Sequence, residues 1–258
     1  MDIVRDSFWR GRLIVWQPAR GQGYRFNVDS VVLAAAVPPA RHLLDLGAGC
    51  GILGLLLLAS GRVGRVTAVE VQPELAALVR RNAQANGLAA RLRVLELDLR
   101  CLTEPLDGGA LVDGVAFNPP YFPRTAARAA ANPCRDGARR ELHGGLADFV
   151  ACAQRQLAPG GHCSAIVRWE RGAELLALWD AGLGTPEAVL RPVCAAADQP
   201  PRHALLRARR APGPAPAPQP PLVLHVDGGY AAPLQPWLEG PASLSVDAAT
   251  AGLAPSGG

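Results

Sequence analysis

The chain has 258 residues and a net charge of +4, and all 26 of its basic side chains are arginine. At this length roughly 70–75% of the unfolded surface can be buried, while the longest apolar run, Ile52 to Ala59, is far short of the ~20 residues of a spanning helix; with no leader legible at its start, a soluble, cytoplasmic protein is expected, without a membrane partner. Cysteines 50, 101, 134, 152, 163 and 194 form no C-x-x-C pair and have no histidine at ligand spacing, so neither a disulfide framework nor a metal site is expected.

Gln17 to Val28 reads as a loop, in which Tyr24, Arg25 and Phe26 form a cluster suited to covering a ligand or meeting a nucleic acid. Asp29 then caps a helix beginning near Ser30, or lies over the ligand. Leu43 to Leu46 is a short buried strand, followed by the glycine turn Asp45-Leu46-Gly47-Ala48-Gly49-Cys50-Gly51 and an all-apolar helix from Ile52 to Ser60. Arg65 to Glu70 is the next strand. Pro73 opens a helix whose Leu75, Leu78, Val79, Asn82, Ala83 and Asn86 recur at helical spacing before Gly87 stops it.

Leu92 to Leu97 is a third strand, ending at Asp98 and Leu99, and Val112 to Phe117 a fourth, ending in Asn118-Pro119-Pro120-Tyr121. Leu146, Phe149, Val150, Ala153 and Leu157 mark an amphipathic helix stopped at Pro159-Gly160-Gly161. Cys163 to Val167 is a fifth strand, and a helix from about Glu170 to Ala181 follows. Ala188 to Cys194 and His203 to Arg209 form an antiparallel pair. Alternating strands and helices predict an α/β, doubly wound sheet. From Ala211 to Pro221 six of eleven residues are proline, so that stretch is extended. Leu222 to Val226 reads as one more strand, and a loose tail follows Gly240.

In a strand–turn–helix, glycines allow close backbone approach, and the helix start offers free N–H groups to an anion. Gly49, Gly51 and Gly54 also satisfy G-x-G-x-x-G, so a dinucleotide competes as ligand. Glu70, with Val71 beside it, ends the second strand where a carboxylate accepts ribose hydroxyls, and Asp98 ends the third where an acid accepts an adenine amine. Asp45 leans the reading toward a methyl donor, ordering glycine N–H groups or reaching the ligand's amino group.

Asn118-Pro119-Pro120-Tyr121 sharpens this. The lone pair of an exocyclic amine or carboxamide is delocalised into its π system. Two acceptors aimed at its N–H bonds, Asn118 Oδ1 and the Pro119 carbonyl, favour a pyramidal nitrogen. The prolines hold Asn118 extended, while Tyr121 and Phe122 offer stacking faces to the flat target and the sulfonium. Arg124, Arg128, Arg135, Arg139 and Arg140 follow, suited to phosphate contacts beside an extruded base or to a solvated charged loop.

Gln17 with Gly23 to Ser30, Asp45 to Gly54, Asn118 to Phe122, Arg139-Arg140-Glu141 and Leu222 to Tyr230 together resemble the bacterial valine-tRNA adenine-N6 methyltransferase family. The resemblance implies a class I methyltransferase (Rossmann-like) fold with a seven-stranded sheet, mostly parallel with one antiparallel strand and helices on both faces. It implies S-adenosyl-L-methionine as donor and an adenine of tRNA beside the anticodon as acceptor. Residues 1–210 would form the methyltransferase domain, with 1–40 as a cover segment, and 211–258 a proline-rich linker, a short strand-like extension and a tail. Glutamine-N5 methylation of a translation factor and guanine-N2 methylation of ribosomal RNA fit the same tetrapeptide. A nicotinamide-dependent reductase would explain the glycines and Glu70 but leaves Asn118 to Tyr121 without a role.

Overall fold

The computed structural model describes residues 1–119, 144–183, 188–210, 217 and 219–240. An N-terminal hairpin, β1 (Ile3–Phe8) and β2 (Leu13–Pro18), precedes helix α1 (Val28–Ala36). Then come β3 (Ala40–Leu46), α2 (Ile52–Ala59), β4 (Val63–Glu70), α3 (Pro73–Ala85), β5 (Leu92–Glu96), the short α4 (Leu106–Gly109) and β6 (Val112–Phe117). The second half holds α5 (Leu146–Gln156), β7 (Leu157–Arg168), α6 (Gly172–Leu183), β8 (Ala188–Cys194), β9 (Pro201–Arg209), β10 (Leu222–Val223), a two-residue hairpin β11 (His225–Val226) and β12 (Gly229–Tyr230), and α7 (Gln235–Glu239).

Eight strands form one sheet in the order β10-β8-β9-β7-β6-β3-β4-β5. Every pairing is parallel except those of β9, which runs against both β7 and β8. The expected seven strands with one antiparallel member are therefore present, and β10 adds an eighth at the edge. The chain winds from β3 to β5 in one direction and from β6 onward in the other, so β3 and β6 flank the crevice where such sheets bind ligands.

Each face of the sheet has its own core. On one face α1, α2 and α3 pack with Leu43, Val66, Ala116, Ile166 and Leu205. On the other, α5 and α6 cover Leu44, Leu46, Val115, Phe117, Ala165 and Leu206. Strand alternation sorts these residues, and α2 can be apolar all round because it lies buried from Ile52 to Leu58. Leu222, Leu224, Leu234 and Trp237 belong to the α1 side, so residues beyond 210 contribute to the same core. Trp9 Nε1 donates to the Trp237 carbonyl at 2.7 Å, fastening α7 to the first hairpin.

Three local expectations need correction. Gln17 lies in β2, paired with Val4, and does not open a loop. The cap of α1 is Asn27, whose extended backbone lets its side chain accept from the Asp29 N–H; Asp29 is a buried residue of the first turn. β7 runs through Pro159-Gly160-Gly161, with its register to β6 shifting between Val112 and Gly114. Among the described residues no helix is long and apolar enough to cross a membrane, and no cluster of His, Cys, Asp and Glu could hold a metal.

Candidate active site

The glycine turn leaves β3 at Leu46, beside the last residue of β6, since Leu46 pairs with Phe117. Gly47, Gly49 and Gly51 have φ of +68°, +60° and +83°, a left-handed run that side chains resist. Gly47 and Ala48 both donate to the Val69 carbonyl, at 2.8 and 3.0 Å, tying the turn to β4. A Cβ at Gly49 would stand 2.7 Å from Cε1 of Tyr24, so that ring lies directly on the turn. At Gly47 it would meet the Phe149 ring, itself 5.6 Å from the Phe117 ring.

Two buried carboxylates meet the turn. Glu70 accepts from Gly49 N at 2.8 Å through one oxygen and from Gln72 N at 2.9 Å through the other. Burial raises its carboxyl above the usual range, and these N–H groups, with that of Val71, oppose the rise. Asp45 is 2% exposed, and its Oδ2 has no hydrogen-bond partner among the described residues. Burial, reinforced by the charge of Glu70, pushes its carboxyl up to about 7, with the Gly54 N–H pulling the other way. An ionised carboxylate here lacks the compensation that water or a cation would supply.

Asp98 caps the short turn Leu99–Cys101 by accepting from Arg100 N at 2.9 Å, and its carboxylate is gripped by the Arg100 guanidinium. Leu99 is buried. Asn118 follows Phe117 directly, beside Gly47, and its Oδ1 is buried without a partner among the described residues. Pro119 is buried behind it. Pro120, Tyr121, Phe122, Arg124, Arg128, Arg135, Arg139 and Arg140 lie outside the described residues.

The N-terminal segment closes the same corner. The Tyr24 hydroxyl bonds the Ser30 side chain; burial raises its pKa, with Cys50, Asp29 and Asp45 acting in the same direction. Asp29 accepts from Asn27 Nδ2 at 2.6 Å and faces His203 Nε2 at 3.6 Å. Burial holds the His203 imidazole below its ordinary range while Asp29 pulls it up. Arg25 is held by Asp6 and the Pro18 carbonyl, both at 2.7 Å, so its guanidinium anchors the hairpin. The structure thus gathers Tyr24, Asp29, Asp45, Gly47, Gly49, Gly51, Glu70 and Asn118 around the ends of β3, β4 and β6.

The family model described as methyltransferase small domain matches residues 25–178, which include the turn, both buried acids and Asn118. The chain belongs to the methyltransferase small domain family. Curated relatives include a protein of Glaesserella parasuis serovar 5, 30% identical over 154 residues (59% of this chain and 63% of the relative), and one of Aeromonas hydrophila, 31% identical over 159 residues (60% and 64%). Both carry the name tRNA1(Val) (adenine(37)-N6)-methyltransferase, and the alignments span less than two thirds of their length. Among solved structures, a predicted O-methyltransferase of Agrobacterium tumefaciens is similar with a TM-score of 0.61 and 23% identity, over 81% of this chain and 94% of that one. The Thermus thermophilus 16S rRNA N2 G1207 methyltransferase, in complex with AdoMet and guanosine, has a TM-score of 0.54 and 18% identity over 81% and 50%. These two likenesses establish the shared fold.

One member of the site was legible only as helical spacing. Asn82, fully buried on α3, donates through Nδ2 to the carbonyls of Trp16 at 2.9 Å and Cys50 at 2.8 Å, and accepts from Trp16 N at 2.6 Å. Asn86, one turn on, does the same for Ile14, accepting from its N–H at 2.8 Å and donating to its carbonyl at 2.7 Å. Two side-chain amides thus serve the edge of β2 as a neighbouring strand would, and Asn82 also secures the glycine turn of this methyltransferase-family fold. The available signal was Asn on the apolar stripe of a helix, a residue that disfavours helix interiors unless its amide is bonded.

Proposed function

We propose that the chain transfers a methyl group from S-adenosyl-L-methionine to the exocyclic N6 of an adenine in tRNA, beside the anticodon of valine tRNA. The observation that carries this reading is Asn118 Oδ1, a buried acceptor without a partner among the described residues, set next to the glycine turn. A buried acceptor left bare costs about 1–3 kcal/mol, which an amine donor would recover. The names of the curated relatives support adenine N6 in tRNA as that amine.

The residues fit the donor. Asp45 Oδ2 is bare and buried beside the turn, where the ligand's ammonium would supply the missing partner. Gly47, Gly49 and Gly51 let the backbone approach closely. Glu70, with Val71, would receive the ribose hydroxyls on the lone pairs its N–H partners leave free. Asp98 and Leu99 would border the adenine, and Asp29 and Tyr24 would close the N-terminal side. When bound, S-adenosylmethionine supplies an electrophilic methyl on a sulfonium sulfur. Asn118 Oδ1 and the Pro119 carbonyl accept the two N–H bonds of the target, returning its lone pair to nitrogen. Tyr121 and Phe122, outside the described residues, would offer stacking faces to the flat acceptor, and Arg124, Arg139 and Arg140 charges to its phosphates. Arg25 acts through the hairpin it anchors.

The deciding experiment is nucleoside mass spectrometry after incubating the protein with S-adenosylmethionine and unmodified bulk tRNA. N6-methyladenosine is expected, and it should vanish with Asn118→Ala. Methylation of a different nucleoside, or of protein glutamine alone, would overturn the assignment. Glu70→Ala should weaken binding of S-adenosylhomocysteine; an unchanged affinity would remove Glu70 from the donor site.

A further inference from the structure

A second set of unsatisfied polar groups lies away from the glycine turn. In the β7–β9 ladder Ser164 stands opposite Arg207 and His162 opposite Arg209, and in the β8–β9 ladder Arg191 stands opposite Leu205. Strand alternation turns His162, Ser164, Arg207 and Arg191 to the face whose Ile166 and Leu205 pack under α1. But α1 has nine residues and ends at Ala36, and the chain then leaves through Val37, Pro38 and Pro39. Two clefts open there, of about 420 and 290 Å³, sharing Pro38 and Arg207 as a common wall. Arg62, Arg191 and Gln219 line the larger, and His162, Ser164 and Arg209 the smaller. Pro39 and Arg62 lead into β3 and β4, at the ends opposite Gly47 and Glu70; an eight-residue strand separates Arg62 from Glu70, roughly 25 Å.

Among the described residues no acid compensates the charge in the larger cleft. Arg62, Arg191 and Arg207 are half-buried, and among the described residues none of them forms an ion pair. Arg62 lies 5.2 Å over the Trp237 ring, Arg191 Nε donates to the Pro220 carbonyl at 2.8 Å, and the Arg207 side chain has no hydrogen-bond partner among the described residues. Burial, with the charge of Arg207 behind it, pulls the Arg191 guanidinium below its ordinary range. Asp113, whose charge reaches His162, is already paired with Arg41 at 3.0 Å. The C-terminal end of α1 contributes at most about half a negative charge. Among the described residues Ser164 Oγ is buried without a partner, and the buried His162 ring has the Pro39 backbone as a polar neighbour. Half-buried guanidiniums facing one another destabilise a fold, and a bound anion reverses that cost.

We propose that the larger cleft is a phosphate-binding site, with Arg207 gripping the phosphoryl oxygens from the shared wall and Arg191 and Arg62 flanking them. Three guanidiniums offer more donors than the two oxygens of a carboxylate can accept, and the planar fork matches phosphate. The phosphate belongs either to an RNA backbone that also reaches the methyl-transfer site or to a free phosphorylated ligand.

The test compares the wild type with Arg207→Gln, Arg207→Lys and Arg191→Gln, using inorganic phosphate and unmodified bulk tRNA as probes. Phosphate should raise the wild-type Tm. Arg207→Gln should equal or exceed the wild-type Tm without phosphate and lose the phosphate-induced rise, with Arg207→Lys intermediate. S-adenosylhomocysteine affinity should stay unchanged in all variants, which separates this test from the fate of the methylation reading. A fall of about tenfold in tRNA affinity, with a salt slope shallower by about one, would assign the phosphate to the RNA backbone. Unchanged tRNA affinity with a lost phosphate response would assign it to a free ligand. A wild type indifferent to both probes, variants that respond like the wild type, or a lowered Tm in Arg207→Gln would overturn the proposal.

Discussion

The glycine-turn end of the sheet and the arginine cleft make the same physical investment with opposite sign. At the first, Asp45 Oδ2 and Asn118 Oδ1 are buried acceptors without partners among the described residues, and Glu70 stands beside them. At the second, the half-buried Arg207 and the buried Ser164 hydroxyl are equally without partners among the described residues. Each set costs folding free energy that a ligand of complementary character would return, a cation and an amine in one case and an anion in the other. The difference lies in support. The acid end is braced by a backbone turn in which every second residue is a left-handed glycine, whereas the basic cleft is built from paired strands, the Arg62–Trp237 stack and one short helix as roof.

The comparison is broken most severely at Asn118. Asn118→Ala should leave S-adenosylhomocysteine binding intact while methyl transfer falls by about 10²–10³-fold, the scale of one oriented polar group; single-turnover rates beside an isothermal titration check this. The brace itself is tested by Asn82→Ala, which strips partners from Trp16 N and the Trp16 and Cys50 carbonyls. A loss on the order of 3 kcal/mol in denaturant unfolding is expected, with weaker donor-analogue binding as the turn loosens. Asn82→Asp, whose second oxygen would face the Trp16 and Cys50 carbonyls, should recover none of it.

Asp45 sharpens the comparison through pH. Its folded pKa, about 7, lies above the ordinary carboxylate value, so the folded protein holds this proton more tightly. That contribution is fully present below about pH 4 and is lost as pH rises through about 7. Thermal scans of the ligand-free protein should show this decline, and Asp45→Asn should flatten it. Donor-analogue affinity should move the other way, rising through pH 7 in the wild type and staying level in the variant. The smallest effect belongs to Arg207→Gln, a small gain or no change in Tm without phosphate, where any matching change at Asp45 would have the opposite pH dependence.

Much of the fold was legible because its signals are local. Apolar strands alternate with helices, Pro73 and Gly87 bracket α3, and Asp45, Glu70, Asp98 and Asn118 stand at strand ends whose positions follow from chain order. The hairpin was not legible, because the edge of β2 is satisfied by two asparagines some 66 to 72 residues away and not by a strand. The capping role of Asn27 was obscured by Asp29, an equally good cap two positions on.

By itself the sequence determined the order of elements, the left-handed turn and the identity of the groups at the strand ends, since backbone preference and side-chain period act within a few residues. Only the tertiary structure decided which of those groups are left bare. Glu70 is occupied by Gly49 and Gln72 and Asp98 by Arg100, while Asp45 and Asn118 keep open lone pairs among the described residues. It also decided that Arg62, Arg191 and Arg207, scattered over 146 positions of sequence, share one cleft. Desolvation and pairing depend on what packs against a group from distant parts of the chain, and that is settled only when the sheet has closed.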